Sequence, residues 1–325
     1  MVTQTATQPD ITLRISVTDR CDLRCLHCLP AEGITPLAER GEVLTYEEIV
    51  RVVRAVGRIA PSVTVRLTGG EPLMRRDIVG LVAMLSALEV ADLALTTNGQ
   101  VLGALSRRLK EAGLMRVNVS LDTLQPERYA QLTRGGDLSQ TLAGIDAALA
   151  CELTPVKLNA VVLRGVNNEE VCDLVRFAAE RDCQMRFIEL MPIGEAASRH
   201  SEWFVPVDEV RQRLEREFDF GEQLPGPDAP ARLFSVRSRD AGVSGTVGFI
   251  ASMSHPFCDG CRRLRLTSRG ELVGCLTHEH GLDLRRILRN GAPDAELTGA
   301  VQSALALKCA ERGPFRTRSM ATLGG

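Results

Sequence analysis

The segment LRISVTDRCDLRCLHC, residues 13–28, joins a strand pattern directly to three closely spaced cysteines. Its first six residues alternate apolar and polar side chains, the two-residue period of a β-strand with two unlike faces. The loop after this strand carries Cys21, Cys25 and Cys28. Three thiolates this close together can converge on one metal centre, but they leave a four-coordinate centre one ligand short. The segment therefore predicts a strand that presents a metal-binding loop, with one metal position left for a small molecule.

Five further strand patterns follow along the chain, at 63–68, 93–97, 116–121, 156–163 and 185–190. Amphipathic stretches separate them. Thr45 and Glu48 form a capping box before one predicted helix, and a second helix over 102–109 is expected to end at Gly113. A third helix is predicted to open at Asn168. Strands that alternate with helices indicate an α/β fold with a parallel sheet or barrel.

The predicted strands have one polar face, which is unusual for parallel strands, because these are normally apolar on both sides. The polar positions of four strands are Arg14, Ser16, Thr18, Thr64, Arg66, Thr68, Asn118, Ser120, Lys157 and Asn159. Burying such groups without partners would cost several kcal/mol each. We therefore expect this face to line a wet or ligand-filled cavity inside an open barrel. The alternative is that it forms an exposed sheet surface.

After Pro192 the pattern changes to a smaller set of elements. One helix is predicted within 203–218, followed by a Pro/Gly-rich loop, EQLPGPDAPA, over 222–231. Short strands are predicted at 231–238, 244–251, 263–267 and 271–275, with helices from about 283 and 295. We expect two units: a barrel over 11–195 and an α+β unit over 196–325.

The composition is that of an ordinary globular protein: 325 residues, 44% hydrophobic, 25% charged and a net charge of −2. No apolar stretch is long enough to span a bilayer, and the N-terminus carries no export or transit pattern. We therefore expect a cytoplasmic protein with reduced cysteines, no membrane partner and no nucleic-acid partner.

A second cysteine triplet, Cys258, Cys261 and Cys275, lies in the C-terminal unit beside Arg263 and Arg265. These two arginines have the same strand parity and can point together at an anion. Zinc remains an alternative at both triplets, with His27 completing the first and His255 or His278 the second. The remaining cysteines are predicted to be small buried hydrophobic residues; they are Cys151, Cys172, Cys183 and Cys309.

Gly69-Gly70-Glu71-Pro72 follows the second predicted strand. Together with the first cysteine triplet, this turn resembles the radical S-adenosylmethionine (SAM) superfamily. Further motifs stand in the order and spacing of one family within it, the GTP 3′,8-cyclases of molybdenum cofactor biosynthesis. They are LRISVTDRC, TGGEPLMRRD, TTNG, NVSLDTL, KLN, RFIELMPIG, the second triplet and the terminal Gly324-Gly325. The resemblance covers residues from about 11 to 325.

The resemblance implies a (βα)6 partial TIM barrel of the radical SAM type, closed by the C-terminal unit, with a [4Fe–4S] cluster at each end of the cavity. It implies a lyase that converts GTP to (8S)-3′,8-cyclo-7,8-dihydroguanosine 5′-triphosphate, with a radical made from SAM abstracting the ribose H3′. The implied partners are GTP, a reduced flavodoxin- or ferredoxin-type electron donor, the downstream cyclic pyranopterin monophosphate synthase and, in a homodimer, a second copy of the chain.

The same resemblance assigns residues to each ligand. The cluster ligands are Cys21, Cys25, Cys28, Cys258, Cys261 and Cys275. The SAM contacts are His27, Gly70, Ser120 and Met191. The GTP contacts are Arg14, Arg66, Thr96, Lys157, Arg186, Arg263 and Arg265. The catalytic set is Arg263, Arg265, Gly324 and Gly325, with the glycine tail reaching into the active site.

The chain departs from the family pattern at a few positions. His27 stands where tyrosine is common, Leu29 where methionine is common, Asp22 where asparagine is common, and Thr64 where a lysine is frequent. Two other functions remain open at this point. One is a radical SAM enzyme that modifies peptides or proteins and carries an auxiliary cluster. The other is a zinc-stabilised module that binds nucleic acid through the basic stretch 262–269.

Overall fold

The protein is described here by a computed structural model that covers residues 10–34, 36–224, 230–240, 242–258, 261–278, 280–308 and 320–323. Gly324, Gly325 and Cys309, for which the sequence made predictions, lie outside these residues. Within them no helix has both the length and the apolar character needed to cross a membrane.

Six parallel strands form the centre of the molecule and lie side by side in chain order. They are β1 Ile11–Ser16, β2 Val63–Thr68, β3 Asp92–Thr97, β4 Arg116–Ser120, β5 Lys157–Val162 and β6 Gln184–Glu189. Each strand lies within two residues of its predicted position. Neighbouring strands are linked through helices on the outer face of the sheet, as a parallel crossover requires.

The helices of this half follow the predicted order. They are α1 Tyr46–Gly57, α2 Ile78–Ser86, α3 Leu102–Glu111, α4 Pro126–Thr133, α5 Leu138–Ala150 and α6 Val171–Ala179. The capping box at Thr45 is confirmed, since its side chain accepts from the Glu48 N–H and the Glu48 carboxylate accepts from the Thr45 N–H. Gly113 follows the end of α3 with φ +96°, a conformation that favours glycine.

One predicted helix start is wrong. The helix expected to open at Asn168 begins at Val171, with Glu170 as its N-cap. The Asn168 Oδ1 atom instead accepts the Gly165 N–H, 2.8 Å away, and so closes the turn before the helix. Asparagine bonds to nearby backbone in turns as readily as in helix caps, so the residue type alone did not separate the two.

The C-terminal half adds strands to both edges of the same sheet. Its elements are α7 His200–Trp203, α8 Val207–Leu214, β7 Phe218–Leu224, β8 Arg232–Ser238, β9 Ser244–Ile250, β10 Arg263–Leu266, β11 Glu271–Val273, β12 Leu282–Asp283, α9 Leu284–Arg289, α10 Asp294–Leu307 and α11 Met320–Leu323. β9 pairs in parallel with β6, and β10 pairs in parallel with β1. The strand order among the described residues is β12-β11-β10-β1-β2-β3-β4-β5-β6-β9-β8-β7.

The loop predicted over 222–231 is partly wrong, because residues 222–224 belong to β7. Gln223 and Leu224 pair with Phe234 and Leu233 of β8. The register shifts between Phe220 and Gln223, and this irregularity breaks the two-residue alternation by which the strand would have been recognised.

The sheet has one apolar face and one polar face, as the sequence predicted. Leu13 and Ile15 of β1 are fully buried among the helix side chains, together with Val117 and Val119 of β4. The intervening residues point to the other face of the sheet, where Ser16, Thr68, Asn118 and Lys157 are buried. The polar residues therefore line the inside of the barrel, and an exposed sheet surface is the wrong alternative.

Candidate active site

A row of arginines crosses one wall of the cavity. Arg14 on β1 lies directly opposite Arg66 on β2 and, on its other side, opposite Arg265 on β10. Burial lowers the pKa of Arg14, and the charges of Arg265, Arg66 and Arg263 lower it further. The pKa values of Arg66 and Arg265 are lowered to about 10, again first by burial. This wall stays cationic at neutral pH and favours a polyanionic ligand.

The opposite wall carries a second group of cations. Lys157 on β5 is 9% exposed and Arg186 on β6 is 5% exposed. Burial and the neighbouring Arg186, Arg116 and Arg66 lower the pKa of Lys157 to about 7. Arg66 therefore interacts with the cations of both walls, because Arg263 and Arg116 each lower its pKa. The two walls enclose one chamber.

Several polar atoms in this chamber are buried without a partner. Asn118 Nδ2 donates to Thr96 Oγ1 at 3.1 Å, but its Oδ1 atom has no hydrogen-bond partner. Asn159 Oδ1, Arg66 Nε and Arg186 Nε are also buried and unsatisfied. Such groups are rare in folded proteins and mark a place where a ligand or water completes the bonding.

The first cysteine loop lies at the carboxyl end of β1 and is fixed by backbone bonds to α4. The N–H groups of Arg24 and Leu26 donate to the carbonyls of Thr133 and Leu132, at 3.0 and 2.9 Å. Burial raises the pKa of Cys21 to about 12, and the charge of Cys28 contributes. Burial also raises the pKa of Cys25, with further contributions from both other thiols. The three thiols are therefore close enough to interact, and a cationic centre would reverse this pKa shift by stabilising the thiolates.

The glycine turn packs against this loop at its start. Gly70 N–H donates to Thr18 O and Glu71 N–H donates to Arg20 O, both at 2.8 Å. A Cβ atom on Gly70 would lie only 2.3 Å from the Arg20 carbonyl oxygen, so no larger residue fits there. Because Gly70 has no side chain, the backbone of the turn can approach a ligand bound at the three cysteines.

The Glu71 carboxylate ties this turn to the end of β3. It accepts from the Thr97 hydroxyl and the Asn98 N–H, each at 2.8 Å, and from the Leu73 N–H at 3.0 Å. Burial raises its pKa to about 7, against the lowering effect of these donors. Glu71 therefore joins the GGEP and TTNG motifs into one rigid edge.

Replacing Glu71 with alanine is expected to lower the free energy of unfolding by about 2–4 kcal/mol, because three buried donors lose their acceptor. Glu71→Gln keeps one oxygen and is expected to cost less. A denaturant titration followed by circular dichroism measures both, with the exposed Glu111→Gln as control. Equal stability of the alanine variant and the control would show that Glu71 does not hold this edge.

The remaining predicted SAM contacts lie at the same edge of the sheet. Ser120 is the last residue of β4, and Met191 follows β6. His27 lies within the cysteine loop, with its Nε2 atom 4.0 Å from Asp122 Oδ2. Because the carboxyl ends of parallel strands meet at one edge, the fold brings Ser120, Met191 and Gly70 to the side of the sheet that carries the first triplet.

The second triplet lies at the other end of the chamber, around the amino end of β10. Arg263 Nε donates to Cys261 Sγ at 3.2 Å. Burial raises the pKa of Cys261, but the charge and hydrogen bonds of Arg263, with Lys308, outweigh it and lower the pKa to about 7. Cys275 follows β11. Because β11 is antiparallel to β10, Cys275 lies near the amino end of β10. Cys258 is exposed there and accepts through its carbonyl from the Cys261 N–H.

The last described residues of the chain reach the same chamber. Leu323, at the end of α11, is 1% exposed. Its carbonyl oxygen accepts from Arg265 Nη1 at 3.3 Å. The two terminal glycines lie outside the described residues, but the residue that precedes them contacts a predicted GTP-binding arginine.

Comparison with known proteins agrees with this geometry. Residues 15–178 match the radical SAM superfamily, and residues 183–313 match the family described as Molybdenum Cofactor Synthesis C. A GTP 3′,8-cyclase from Moorella thermoacetica is 45% identical over 318 residues, covering 96% of this chain and 97% of that one. This chain belongs to the GTP 3′,8-cyclase family. Family members from Pelotomaculum thermopropionicum and Pseudomonas putida are both 46% identical, each covering 91% of this chain, and 90% and 88% of their own.

Membership of the GTP 3′,8-cyclase family makes the chain a radical SAM enzyme of molybdenum cofactor synthesis, with SAM and an iron–sulfur cluster as its cofactors. A solved structure titled as Streptococcus suis SuiB bound to S-adenosylmethionine matches with a TM-score of 0.62, covering 97% of this chain and 77% of that one. At 16% identity this likeness shows the fold alone, and it confirms the radical SAM partial barrel.

Among the described residues, the candidate zinc ligands are not assembled around a single position. No three His, Cys, Asp or Glu side chains of the described residues lie close enough together to hold one metal ion. His255, a candidate fourth ligand, instead contacts Asp208 through Nε2 at 3.0 Å. In a cubane each thiolate binds a different iron, so its ligands lie further apart than those of a single zinc ion.

Sequence reasoning missed three charged residues at this site. Arg116 and Asp92 face the chamber as an ion pair, and Asp122 lies near the first cysteine loop. Strand parity would have found Arg116, since it lies two residues before Asn118 on the predicted polar face. Asp122 follows the end of β4, where strand alternation no longer predicts which way a side chain points. Its position could therefore be known only from the folded structure.

Proposed function

We propose that this chain is a GTP 3′,8-cyclase, a lyase that forms (8S)-3′,8-cyclo-7,8-dihydroguanosine 5′-triphosphate in the first step of molybdenum cofactor biosynthesis. The observation that carries the proposal is the cationic chamber between two cysteine triplets. A nucleoside triphosphate carries close to four negative charges, and the buried arginines and lysine of both walls would offset them.

Two iron–sulfur clusters fit the donor sets. Cys21, Cys25 and Cys28 would hold the cluster that binds SAM, and Cys258, Cys261 and Cys275 would hold a second one. When bound, the first cluster would supply the electron for splitting SAM into methionine and a 5′-deoxyadenosyl radical, which can abstract the ribose H3′. The protein's part is to hold SAM and GTP in the same chamber and to exclude water.

The residues of this chain have separate positioning tasks in the proposal. Gly70 leaves room for the methionine end of SAM beside the first triplet, and Ser120, Met191 and His27 line the same edge. Arg265 and Arg263 lie between the second triplet and the chamber, where they would hold the guanine end of GTP. Arg14 and Arg66 continue this row, and Thr96, Lys157 and Arg186 complete the substrate site.

The C-terminal tail would close the chamber. The contact between Leu323 O and Arg265 supports this role, because it places the last described residue of the chain against a proposed GTP-binding arginine. Two residues without side chains fit beside two ligands where larger residues would collide. In this proposal residues 11–195 carry SAM and residues 196–325 carry the second cluster and the tail.

The proposed partners follow from the same chemistry. A reduced flavodoxin- or ferredoxin-type protein would supply the electron in the cytoplasm, and cyclic pyranopterin monophosphate synthase would take the product. A homodimer is the proposed assembly. The proposal includes no nucleic-acid partner and no membrane partner.

At pH 8, binding of GTP is expected to be accompanied by protonation of Lys157. The lowered pKa of about 7 leaves the free lysine mostly neutral there, whereas a bound phosphate favours its charged form. Affinity should therefore fall as pH rises above 7, by up to about tenfold per pH unit. Calorimetry in two buffers with different ionisation enthalpies counts the proton. Lys157→Arg keeps the charge at every pH, so its GTP affinity should lose this part of the pH dependence. A pH dependence that is the same in both proteins would contradict the assignment.

Metal analysis and substrate binding test the proposed function. Anaerobically reconstituted protein should contain about eight iron and eight sulfide per chain, the content of two cubanes. With SAM and a reductant it should convert GTP to the cyclic product, as shown by chromatography and mass spectrometry. A peptide- or protein-modifying enzyme with an auxiliary cluster would show the same iron content but no binding of GTP. That result would overturn the proposal.

A further inference from the structure

The strongest unexplained feature of the chamber is the ion pair between Arg116 on β4 and Asp92 on β3. Arg116 is only 8% exposed. Its Nε donates to Asp92 Oδ1 at 3.0 Å, and its Nη2 contacts Asp92 Oδ2. Val117 and Val119 belong to the apolar core, so strand alternation turns Arg116 and Asn118 into the chamber. A buried ion pair on the cavity face is weak evidence for a stabilising role.

The guanidinium of Arg116 is incompletely satisfied. Asp92 uses the donors on Nε and Nη2, and the Nη1 atom is buried without a hydrogen-bond partner. Apart from Asp92, the charged groups that interact with Arg116 are cations, since the positive charge of Arg116 lowers the pKa values of Arg66, Lys157 and Arg186. Three arginines and a lysine around one space, beside a buried donor without a partner, form a site for a highly charged anionic group.

The position of Arg116 selects which part of the nucleotide it contacts. β4 lies four strands along the sheet from β10, beside which the guanine end is placed in the proposed function. Thr64 of β2, which pairs with Asp92 of β3, contributes no charge beside this ion pair. Arg116 therefore lies away from the guanine end, on the side of the chamber that also carries Lys157 and Arg186, where the triphosphate chain would extend.

We propose that Arg116, held in position by Asp92, binds the terminal phosphate of the substrate and makes the site selective for a nucleoside triphosphate over a diphosphate. This inference rests on the proposed GTP substrate. Asp92 acts as a positioning residue, because its bidentate pairing fixes the plane of the guanidinium and leaves Nη1 directed into the chamber.

The test is calorimetric titration of the anaerobically reconstituted enzyme with GTP, GDP and inorganic triphosphate at fixed salt concentration. Arg116→Gln removes the cation. The double variant Asp92→Asn/Arg116→Gln removes both charges, leaves the net charge of the chamber unchanged and replaces the ion pair by two amides that can bond to each other. The exposed Arg108→Gln on α3 is the matched control, and thermal melts followed by circular dichroism confirm folding of each variant.

Both Arg116 variants are expected to bind GTP and triphosphate about 10- to 100-fold more weakly than the wild type, with a much smaller change for GDP. Restored GTP affinity in the double variant would show that Arg116 contributes only net charge, and would overturn the inference. An unchanged ratio of GTP to GDP affinity in the single and double variants would overturn it as well. If the wild type itself binds no GTP, the proposed function fails together with the inference.

Discussion

Replacing Cys25 with serine is expected to abolish cleavage of SAM, with 5′-deoxyadenosine formation falling to the background of protein-free controls. Cys25 lies between Cys21 and Cys28 in the loop, and its thiol is close enough to both to have its pKa raised by them. A serine hydroxyl does not ionise in such a buried site, so the loop would keep only two anionic ligands. Bound iron should fall by about four per chain.

The control for this variant is Cys151→Ser, which changes a half-buried cysteine after the end of α5, far along the chain from the loop. It should retain the iron content and the SAM cleavage of the wild type. Chromatography of dithionite-reduced samples measures 5′-deoxyadenosine in each protein. SAM cleavage by Cys25→Ser above the background rate would mean that the first triplet does not hold the cluster that reacts with SAM.

The sequence predicts the strands of the barrel well, because four of the six alternate apolar and polar residues. It also predicts the polar face, since Arg14 and Arg66 alternate with valine, leucine and isoleucine. Four short C-terminal strands, β8 to β11, also lie within two residues of their predicted positions, whereas β7 and β12 are not predicted. The place of these strands in the sheet depends on pairing with distant partners. β10 has only four residues, and it is positioned by β1 and β11 rather than by its own sequence.

Long-range pairing also explains what could not be predicted at the site. The sequence separates Arg265 from Arg14 by most of the chain, and only the parallel pairing of β10 with β1 places them opposite one another. The same holds for Glu71 and Asn98, whose bond joins two motifs that appear independent in the sequence. Motif spacing identifies the family, whereas the charge pairs inside the chamber follow from strand register.

Replacing Cys261 with serine is expected to separate the two halves of the reaction. The second triplet lies at the amino end of β10, across the chamber from the loop that holds Cys25, so the loss of one thiolate there leaves the first triplet intact. SAM cleavage should stay within about tenfold of the wild type, while formation of the cyclic product should fall by at least about a hundredfold, a difference of at least about 1.4 kcal/mol in the effect on the two steps. Iron should again fall by about four per chain.

The local charge explains why this position should be sensitive. Arg263 donates to Cys261 Sγ, and together with Lys308 it lowers the pKa of the thiol to about 7, which favours the thiolate that binds iron. Serine keeps the size but loses this anion, so Arg263, which is proposed to hold the guanine end of GTP, loses its charged partner. Measuring 5′-deoxyadenosine and cyclic product in the same samples gives the ratio directly. An equal loss of both in Cys261→Ser, with Cys151→Ser unaffected, would mean that the two triplets do not have separate roles, because a defect confined to the second triplet lowers only the cyclic product.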